Sequence, residues 1–417
     1  MQHRLVVIGS LRDNLELVKR AKQRGYYTIA CDGYTDGVAK RFADKVYDID
    51  VRDVEGIVQM CLKEKVDGII GSFSDLIFEQ ITKITSSIDL KWYVNEGQLL
   101  YYRDKNIQKN VLQELGVSVP RHTVLKSDFN EDALQNFSFP LVVKPVNGWG
   151  SKGIFVADNI EEIRMGFGET LSKGSADVIE VEELIDAREY NMTAWVYDGR
   201  IYTLSIADRE KNPREEGKIP LLNRIVYPSL DMDLVYQKAE EVLQTFVNKT
   251  GQKSGPISMQ FFYYNNEIVV CEIAGRIFGY EHELITYCSD LYVEDLLLDY
   301  VYDEKNIYHK LKVHNAFFEK QFAGLYFTGY QNKVIKNQQS VFDLGNESKV
   351  VELQAFYKEG ERIDNFGPKS YLVRYYITEE NRKKLDELTE HFFNSITVKS
   401  AEGDEVLYKC TLYKNNR

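Results

Sequence analysis

Residues 139–156 read FPLVVKPVNGWGSKGIFV, and this stretch decides the fold because it puts a lysine in an apolar strand that runs into a glycine-rich loop. Lys144 follows the apolar residues Leu141–Val143. The small and polar residues of the loop are Gly148, Gly150, Ser151, Lys152 and Gly153. Glycine lets the backbone approach a ligand, and oriented amides together with an ammonium group suit a polyphosphate. A plain β-hairpin turn is the alternative for this stretch taken alone.

Upstream of this stretch, apolar strands alternate with helical patterns. The segments RLVVI (4–8), YYTIACD (26–32), KVYDIDV (45–51) and VDGIIGS (66–72) are separated by helical segments. This alternation predicts a doubly wound parallel sheet that ends near residue 95. The loop IGSLRDNL (8–15) has one glycine where a dinucleotide-binding fingerprint needs three, so NAD binding is disfavoured.

Downstream, the pattern changes to a mixed α/β region with long β pairs. The turns YDGR (197–200) and YNNE (264–267) predict hairpins at Asp198–Gly199 and Asn265–Asn266. Beyond about residue 315, short strands precede a helix for which Thr378 is the predicted N-cap. The chain is therefore predicted to be α/β (α+β), with a small C-terminal α+β lobe.

Composition limits the classes of function. The chain has 417 residues, 44% of them hydrophobic, and a net charge of −12, which argues against broad nucleic-acid binding. No apolar run is long enough for a membrane span, and the start MQHRLVVIGS does not read as a signal peptide. The five cysteines and six histidines do not cluster, which predicts reduced thiols in a cytoplasmic protein and no zinc site.

A second candidate binding segment is VIEVEELIDARE at 178–189. Glu182 and Glu183 end an apolar strand, and Glu189 follows seven positions after Glu182. An edge segment with free backbone groups can pair with adenine, and a carboxylate can accept from ribose hydroxyls. Solvated glutamates on a surface strand are the alternative.

The third candidate segment is MQFFYYNNEIVVCEIAGRIFG at 259–279. Glu272 ends an apolar strand that is paired by the hairpin with the strand of Gln260, and Arg276 follows. A buried carboxylate needs a partner, so we expect either a metal ion or Arg276 beside Glu272. Oxygen ligands completed by phosphate indicate magnesium and not zinc.

These segments, in this order, resemble the ATP-grasp superfamily, in the branch of biotin carboxylase, purine-pathway carboxylating enzymes and L-amino acid ligases. The resemblance also takes in ADKVYDID (43–50), RDKNIQKNVLQELGVSVPRH (103–122), GLYFTGY (324–330) and YKEGERI (357–363). It implies an N-terminal Rossmann-like domain over 1–95, an ATP-grasp domain over 96–310 with a lid at about 121–190, and a C-terminal lobe over 311–417.

The resemblance also implies a role for each matching residue. Lys105 and Lys144 bind phosphates under a mobile loop over 147–153, which contains Gly148, Gly150, Ser151, Lys152 and Gly153. Adenine is held by Glu182 and by the backbone of Glu183 and Ile185, and ribose by Glu189. Glu272 bridges Mg²⁺, with Mn²⁺ as an alternative ion, and Arg276 steadies the transferred phosphoryl group. Gln260 stands where the family usually has an acid, so a neutral metal ligand is expected there, and Ala274 stands where asparagine is common.

The implied activity is an ATP-dependent ligase that joins a small-molecule carboxylate to an amine through an acyl phosphate, with Arg276 and Lys144 as catalytic groups. The alternatives are a carboxylase that acts through carboxyphosphate and an ATP-binding protein without catalysis, which Gln260 favours. Arg209 is expected to be a solvated loop residue and not a second catalytic cation. The expected partners are small molecules, without nucleic acid or membrane, and a homodimer is left open.

Overall fold

The alternating strands and helices at the start of the chain form a parallel sheet in the computed structural model, which describes residues 2–146, 153–174, 176–214, 220–365 and 369–412. Its elements are β1 (Arg4–Ile8), α1 (Leu15–Gln23), β2 (Tyr27–Cys31), β3 (Lys45–Tyr47), α2 (Val54–Glu64), β4 (Gly68–Ile70) and α3 (Asp75–Ser87). The strand order is β3-β2-β1-β4 and the pairs are parallel. Leu5–Ile8 of β1 are fully buried, as expected of a strand covered on both faces. We call this the N-terminal sheet.

Two helices lead from this sheet to an antiparallel one. They are α4 (Glu96–Arg103) and α5 (Lys105–Glu114). Asn95 and Gln98 form a capping box on α4, and Asp104 caps α5 by accepting from the Ile107 amide at 2.9 Å. The next elements are β5 (His122–Leu125), β6 (Leu141–Pro145), β7 (Phe155–Ala157), α6 (Ile160–Ser172) and β8 (Ile179–Glu183).

The strands β5 to β8 form what we call the hairpin sheet, with the order β5-β8-β6-β7. The lysine strand β6 pairs with β7, as a hairpin across the glycine-rich loop requires. The segment 178–189 is predicted to lie at a sheet edge, and for its strand this is wrong, because β8 lies between β5 and β6 and bonds to both. The segment that follows β8 is not part of any sheet.

A long antiparallel sheet, here called the central sheet, makes up most of the remaining chain. The elements up to the start of its C-terminal strands are β9 (Arg188–Tyr197), β10 (Arg200–Lys211), β11 (Leu222–Tyr227), α7 (Met232–Thr250), β12 (Ser254–Tyr264), β13 (Glu267–Ala274), α8 (His282–Ser289), α9 (Val293–Tyr302) and α10 (Glu304–Val313). The two predicted hairpins are confirmed: Asp198 and Gly199 join β9 to β10, and Asn265 and Asn266 join β12 to β13. All four turn residues have positive φ, which glycine, asparagine and aspartate tolerate best.

Of the five C-terminal strands in the described residues, three continue this same sheet, and the other two pair with each other in a sheet of their own. The elements are β14 (Gln321–Phe327), β15 (Ile335–Asn337), α11 (Gln339–Gly345), β16 (Val350–Ala355), β17 (Val373–Glu379), α12 (Arg382–Ser395) and β18 (Lys399–Ser400). The order across the central sheet is β13-β12-β9-β10-β11-β14-β17-β16. The predicted N-cap of α12 is wrong: Thr378 lies in β17, and Asn381 caps the helix by accepting from the Lys384 amide at 3.1 Å.

Strand register puts the candidate polar residues on one face of the central sheet. Glu272 lies opposite Gln260, and Gln260 lies opposite Asn191 on the next strand. Directly opposed residues of an antiparallel pair point to the same side, so this row faces one way. At the other end of the sheet, Arg374 lies opposite Tyr326. The domain boundaries at about residues 95 and 310 stay predictions.

None of the helices in the described part of the chain is both long enough and apolar enough to cross a bilayer.

Candidate active site

One large cleft lies between the N-terminal sheet, the hairpin sheet and the central sheet. Its volume is about 1800 Å³. The predicted site residues that line it are Lys105, Lys144, Glu182, Glu183, Ile185, Glu189, Gln260, Glu272 and Arg276. Residues that are far apart in sequence therefore meet in one space, as the sequence predicts for a nucleotide site.

Lys144 lies in β6 and is buried, with only 4% of its surface exposed. Its Nζ is 2.7 Å from Glu182 Oε2 and 3.8 Å from Glu180 Oε2. Burial lowers the pKa of Lys144, but the charges of Glu182 and Glu180 outweigh it and raise that pKa above its usual value. The lysine is therefore a fixed cation at the start of the glycine-rich loop.

The predicted loop residues Gly148, Gly150, Ser151 and Lys152 lie outside the described residues. Gly153 is described, and its φ of +71° is a conformation that glycine adopts without strain. A Cβ at this position would come within 2.8 Å of the Lys173 side chain. Glycine is therefore required where the loop rejoins β7.

Glu182 is held by two lysines, and the sequence analysis identified only one of them as a site residue. Lys109 contacts Glu182 closely and is 2.7 Å from Glu180 Oε1, so it pairs with both acids. Burial raises the pKa of Glu182, but Lys144 and Lys109 lower it to about 2. Lys109 follows Lys105 by four positions in α5, and this helical spacing was the available signal.

The backbone after β8 has hydrogen-bonding groups to offer a ligand. The Glu183 amide donates to the Arg121 carbonyl at 2.9 Å and is thus occupied. The backbone of Leu184 and Ile185 makes no hydrogen bond to another described residue, and both residues line the cleft. Exposed donor and acceptor groups at the end of a strand can pair with the edge of a purine ring. The backbone of Ile185 is therefore available for its predicted contact with adenine, whereas the amide of Glu183 is not.

Glu272 and Arg276 do not pair with each other. Lys105 Nζ is 3.2 Å from Glu272 Oε2. Arg276 donates from Nε and Nη2 to the two oxygens of Asp75, at 2.7 and 2.6 Å. The alternative of a Glu272–Arg276 pair is therefore wrong, because Asp75 in the first turn of α3 provides the bidentate partner.

Three side chains with N–H groups contact the carboxylate of Glu189. Arg209 Nη1 donates to Glu189 Oε1 at 2.6 Å, and Lys211 and the Gln260 side-chain amide also contact this carboxylate. Burial raises the pKa of Glu189, but the charges of Arg209 and Lys211 bring it below its usual value. The expectation that Arg209 is a solvated loop residue is wrong, because it lies in β10 with 15% of its side chain exposed.

Comparison with known proteins agrees with this geometry. Residues 110–288 match the family model of the ATP-grasp domain. This chain carries an ATP-grasp domain. The resemblance seen in the sequence and the predicted fold class are thereby confirmed, and ATP with Mg²⁺ is the cofactor pair of ATP-grasp enzymes.

Three relatives show how far the likeness extends. Formate-dependent phosphoribosylglycinamide formyltransferase of Erythrobacter litoralis is 24% identical over 283 residues, covering 66% of this chain and 70% of that protein. L-amino acid ligase from Bacillus licheniformis has a TM-score of 0.80 at 14% identity and covers 96% of this chain and 99% of its own. Phosphoribosylglycinamide synthetase from Anaerococcus prevotii has a TM-score of 0.70 at 20% identity, with coverages of 95% and 99%.

The ATP-grasp site fits a magnesium ion that takes most of its ligands from the nucleotide. Within the described residues, no group of three or more His, Cys, Asp or Glu side chains is placed to hold a metal ion. Glu272 supplies one carboxylate on the cleft face, and Gln260 opposite it supplies an amide oxygen. Mg²⁺ is commonly bound by one or two carboxylates together with substrate phosphates, so this sparse set of ligands is adequate.

Proposed function

We propose that this protein joins a carboxylic acid to an amine, with ATP converted to ADP and phosphate. The acid takes the γ-phosphoryl group to give an acyl phosphate, and the amine displaces phosphate from it. The observation that carries the proposal is the size and continuity of the cleft. Its 1800 Å³ exceeds the roughly 300–1,000 Å³ of a typical single-ligand pocket.

The cleft has room beyond the nucleotide, and its walls differ along its length. Lys144 and Glu182 line the cleft from the hairpin sheet, whereas Arg374 lines it from β17, toward the far end of the central sheet from Glu272, and Asp13 is close enough to interact with the charge of Arg374. A protein that only senses ATP needs no second compartment in contact with the phosphate end. A ligase needs one, since its acid and its amine must both reach the γ-phosphate.

The ATP-binding roles that we propose follow from the present ion pairs. Lys105 now neutralises Glu272, so a triphosphate that binds Lys105 releases Glu272 to act as a metal ligand. Lys144 on β6 is proposed to bind the phosphates together with Lys105. Mg²⁺, when bound at Glu272 and Gln260, supplies positive charge to the phosphate oxygens. Glu189 is proposed to bind the ribose.

Arg276 is proposed to stabilise the acyl phosphate. Asp75 fixes the guanidinium through Nε and Nη2, and it leaves Nη1, which donates only to the Ile277 carbonyl at 3.2 Å. A preorganised cation beside developing negative charge lowers the barrier without reorganisation. Lys144 and Arg276 thus face the transferred group from two walls of the cleft.

The experiment is phosphate release from Mg·ATP against a library of small acids and amines, with the Glu272→Gln variant beside the wild type. Release that needs one acid and one amine, and that falls about a hundredfold or more in Glu272→Gln, is expected because the metal ligand is lost. Glu267→Gln is the matched control, since Glu267 is an exposed residue of the same strand β13 that accepts a hydrogen bond from Ser118. The control is expected to retain wild-type release.

Two results would contradict the proposal. Release with bicarbonate and no other acid would establish a carboxylase that acts through carboxyphosphate. ATP binding without release across the whole library would establish a nucleotide-binding protein without catalysis. A homodimer and a cytoplasmic location are further parts of the proposal, and size-exclusion chromatography with light scattering tests the first.

A further inference from the structure

The end of the cleft away from the proposed nucleotide site contains an arginine that has few hydrogen-bond partners among the described residues. Arg374 lies in β17, with 5% of its surface exposed, and it lines the cleft. Its Nη1 donates to the Tyr376 hydroxyl at 2.9 Å, and its Nε has no hydrogen-bond partner among the described residues. No described carboxylate lies within ion-pair distance of the guanidinium. A buried cation in this state is costly unless a ligand pairs with it.

Aromatic rings hold this guanidinium in place. Its central carbon is 5.4 Å from the Tyr326 ring centre, 5.5 Å from that of Phe356 and 5.7 Å from that of Tyr371. Rings at these distances stabilise the cation weakly and restrict its movement. The Tyr376 hydroxyl is the one hydrogen-bond partner of the guanidinium among the described residues, so the planar fork of Arg374 remains available for a bidentate anion.

The half-buried carboxylate of Asp13, whose charge interacts with that of Arg374, also lacks a partner in the described residues. Asp13 lies in the turn Arg12–Asn14 after β1 and lines the cleft, and it makes no hydrogen bond or ion pair with any residue that the structure describes. Gly279 leaves room for it, since a Cβ there would come within 2.9 Å of Asp13 Oδ2. Burial, together with the charge of Glu283, raises the pKa of Asp13 to about 6 against the opposing charges of Arg374 and His282.

The two groups therefore face one compartment with opposite charges and without contact between them. We propose that Arg374 and Asp13 bind an α-amino acid, with the guanidinium on its carboxylate and Asp13 on its ammonium group. This inference rests on the proposed ligase function and names its amine: the amino acid is the nucleophile, because its own carboxylate is occupied by Arg374.

Asp13 is placed to take the proton that the ammonium group must lose. The carboxylate accepts one proton, and the free amine nitrogen bonds to the acyl carbon of the acyl phosphate. The bond between that carbon and the phosphate oxygen then breaks, and phosphate leaves with the electron pair. The second proton on the attacking nitrogen leaves with phosphate or water, so the products are an amide and phosphate. A base with a pKa near the working pH suits this transfer.

A phosphorylated amine fits the compartment less well. A phosphate dianion needs more than one free cation, and the nearby arginines Arg12 and Arg209 are paired with Glu352 and Glu189. Asp13, Glu283 and Glu352 would also repel a dianion. One arginine opposite one carboxylate matches the single positive and single negative charge of an amino acid.

The test is binding of the twenty L-amino acids to the full chain by calorimetry in the presence of Mg·ADP, which excludes turnover. We expect at least one amino acid to bind. Its carboxamide, which lacks the carboxylate, and its N-acetyl derivative, which lacks the cation, are expected to bind about 10- to 100-fold more weakly.

Variants separate the two contacts. Arg374→Lys keeps the charge and removes the bidentate fork, and Asp13→Asn keeps the shape and removes the charge, so each is expected to weaken binding by about 10-fold or more. Arg52→Gln is the matched control, because Arg52 lines the same cleft but is exposed, and among the described residues its side chain forms an ion pair with Asp50 alone. It is expected to leave the affinity unchanged. Should Arg374→Lys fail to fold, Asp13→Asn and the two derivatives still decide the matter.

The inference is overturned if none of the amino acids binds, if 2-aminoethyl phosphate binds instead, or if the carboxamide and the N-acetyl derivative bind as well as the parent. Failure here and failure of the ligase proposal are distinct outcomes. An active ligase whose amine carries no carboxylate would overturn the amino-acid assignment alone, whereas amino-acid binding without any ATP turnover would overturn the ligase alone.

Discussion

Gln260 stands where the resemblance leads us to expect an acid, and its surroundings in the structure suit a glutamine. Its side-chain amide donates to Glu189, which also accepts from Arg209 and contacts Lys211. A carboxylate at position 260 would place a second negative charge next to that of Glu189. The glutamine therefore completes the set of donors around Glu189, in addition to offering an oxygen toward a metal ion.

We expect Gln260→Glu to weaken nucleotide binding and not to improve turnover. The new carboxylate repels Glu189 and competes for its cations, at a cost of about 1 kcal/mol or roughly fivefold in Kd for Mg·ADP. Calorimetric titration with Mg·ADP measures this. Gln237→Glu is the control, because Gln237 also donates to a glutamate, Glu241, but on the exposed face of α7.

Faster turnover in Gln260→Glu, with a steeper dependence on Mg²⁺ concentration, would contradict this account. That result would mean that the acid restores a second metal site, and that the contact between Gln260 and Glu189 is of secondary importance for the nucleotide.

Single residues also show what sequence alone could and could not predict. The resemblance to ATP-grasp proteins predicts that Lys144, Glu182, Glu272 and Arg276 share one site, and the structure has all four lining one cleft. Their partners were not predicted, because an ion pair such as Arg276–Asp75 joins residues 201 positions apart. Such pairs depend on how the sheets are placed, and no local pattern carries that information.

At the scale of elements, the ion pair between Asp75 and Arg276 connects the start of α3 to the end of β13. Burial raises the pKa of Asp75, but the charge of Arg276 lowers it to about 2. The folded-state pKa lies below the 3.8 of an unperturbed aspartate, so the carboxylate stabilises the fold fully above about pH 4. This contribution is lost as the pH falls from about 4 through about 2.

Asp75→Asn is expected to lower the free energy of unfolding by about 3 kcal/mol near pH 7, because the buried guanidinium loses its partner. The difference in the free energy of unfolding between the variant and the wild type should become smaller as the pH is lowered from about 4 toward 2. Urea unfolding at several pH values measures both effects. Asp50→Asn, which affects an exposed pair at 3.4 Å, should change stability by less than about 0.5 kcal/mol. A difference that does not change with pH would contradict this explanation.

The strands and helices themselves were largely predictable, and the exceptions have physical reasons. Hairpin turns were predicted because Asp-Gly and Asn-Asn favour positive φ locally. The cap of α12 was misplaced because β17 runs on through Glu379, so that pairing with β14 overrides the capping tendency of Thr378. The position of β8 within its sheet was not predictable, because the residues of a strand do not specify which strands lie on either side of it.

At the scale of the whole molecule, the central sheet connects the two reactant ends of the cleft. Glu272 and Gln260 stand at the nucleotide end of its face, and Arg374 stands on a C-terminal strand of the same sheet. One rigid surface thus sets the separation between the phosphate site and the compartment for the amine. Proximity of this kind supplies a large part of the rate of a two-substrate reaction.

The central claim is that the acid is activated as an acyl phosphate, and oxygen tracing tests it most directly. The acid that supports turnover is labelled with ¹⁸O in its carboxylate, and the released phosphate is analysed by mass spectrometry. The account predicts one ¹⁸O atom in phosphate for each amide formed, because the oxygen that attacks the γ-phosphate leaves with it. Unlabelled phosphate released together with amide would contradict the account.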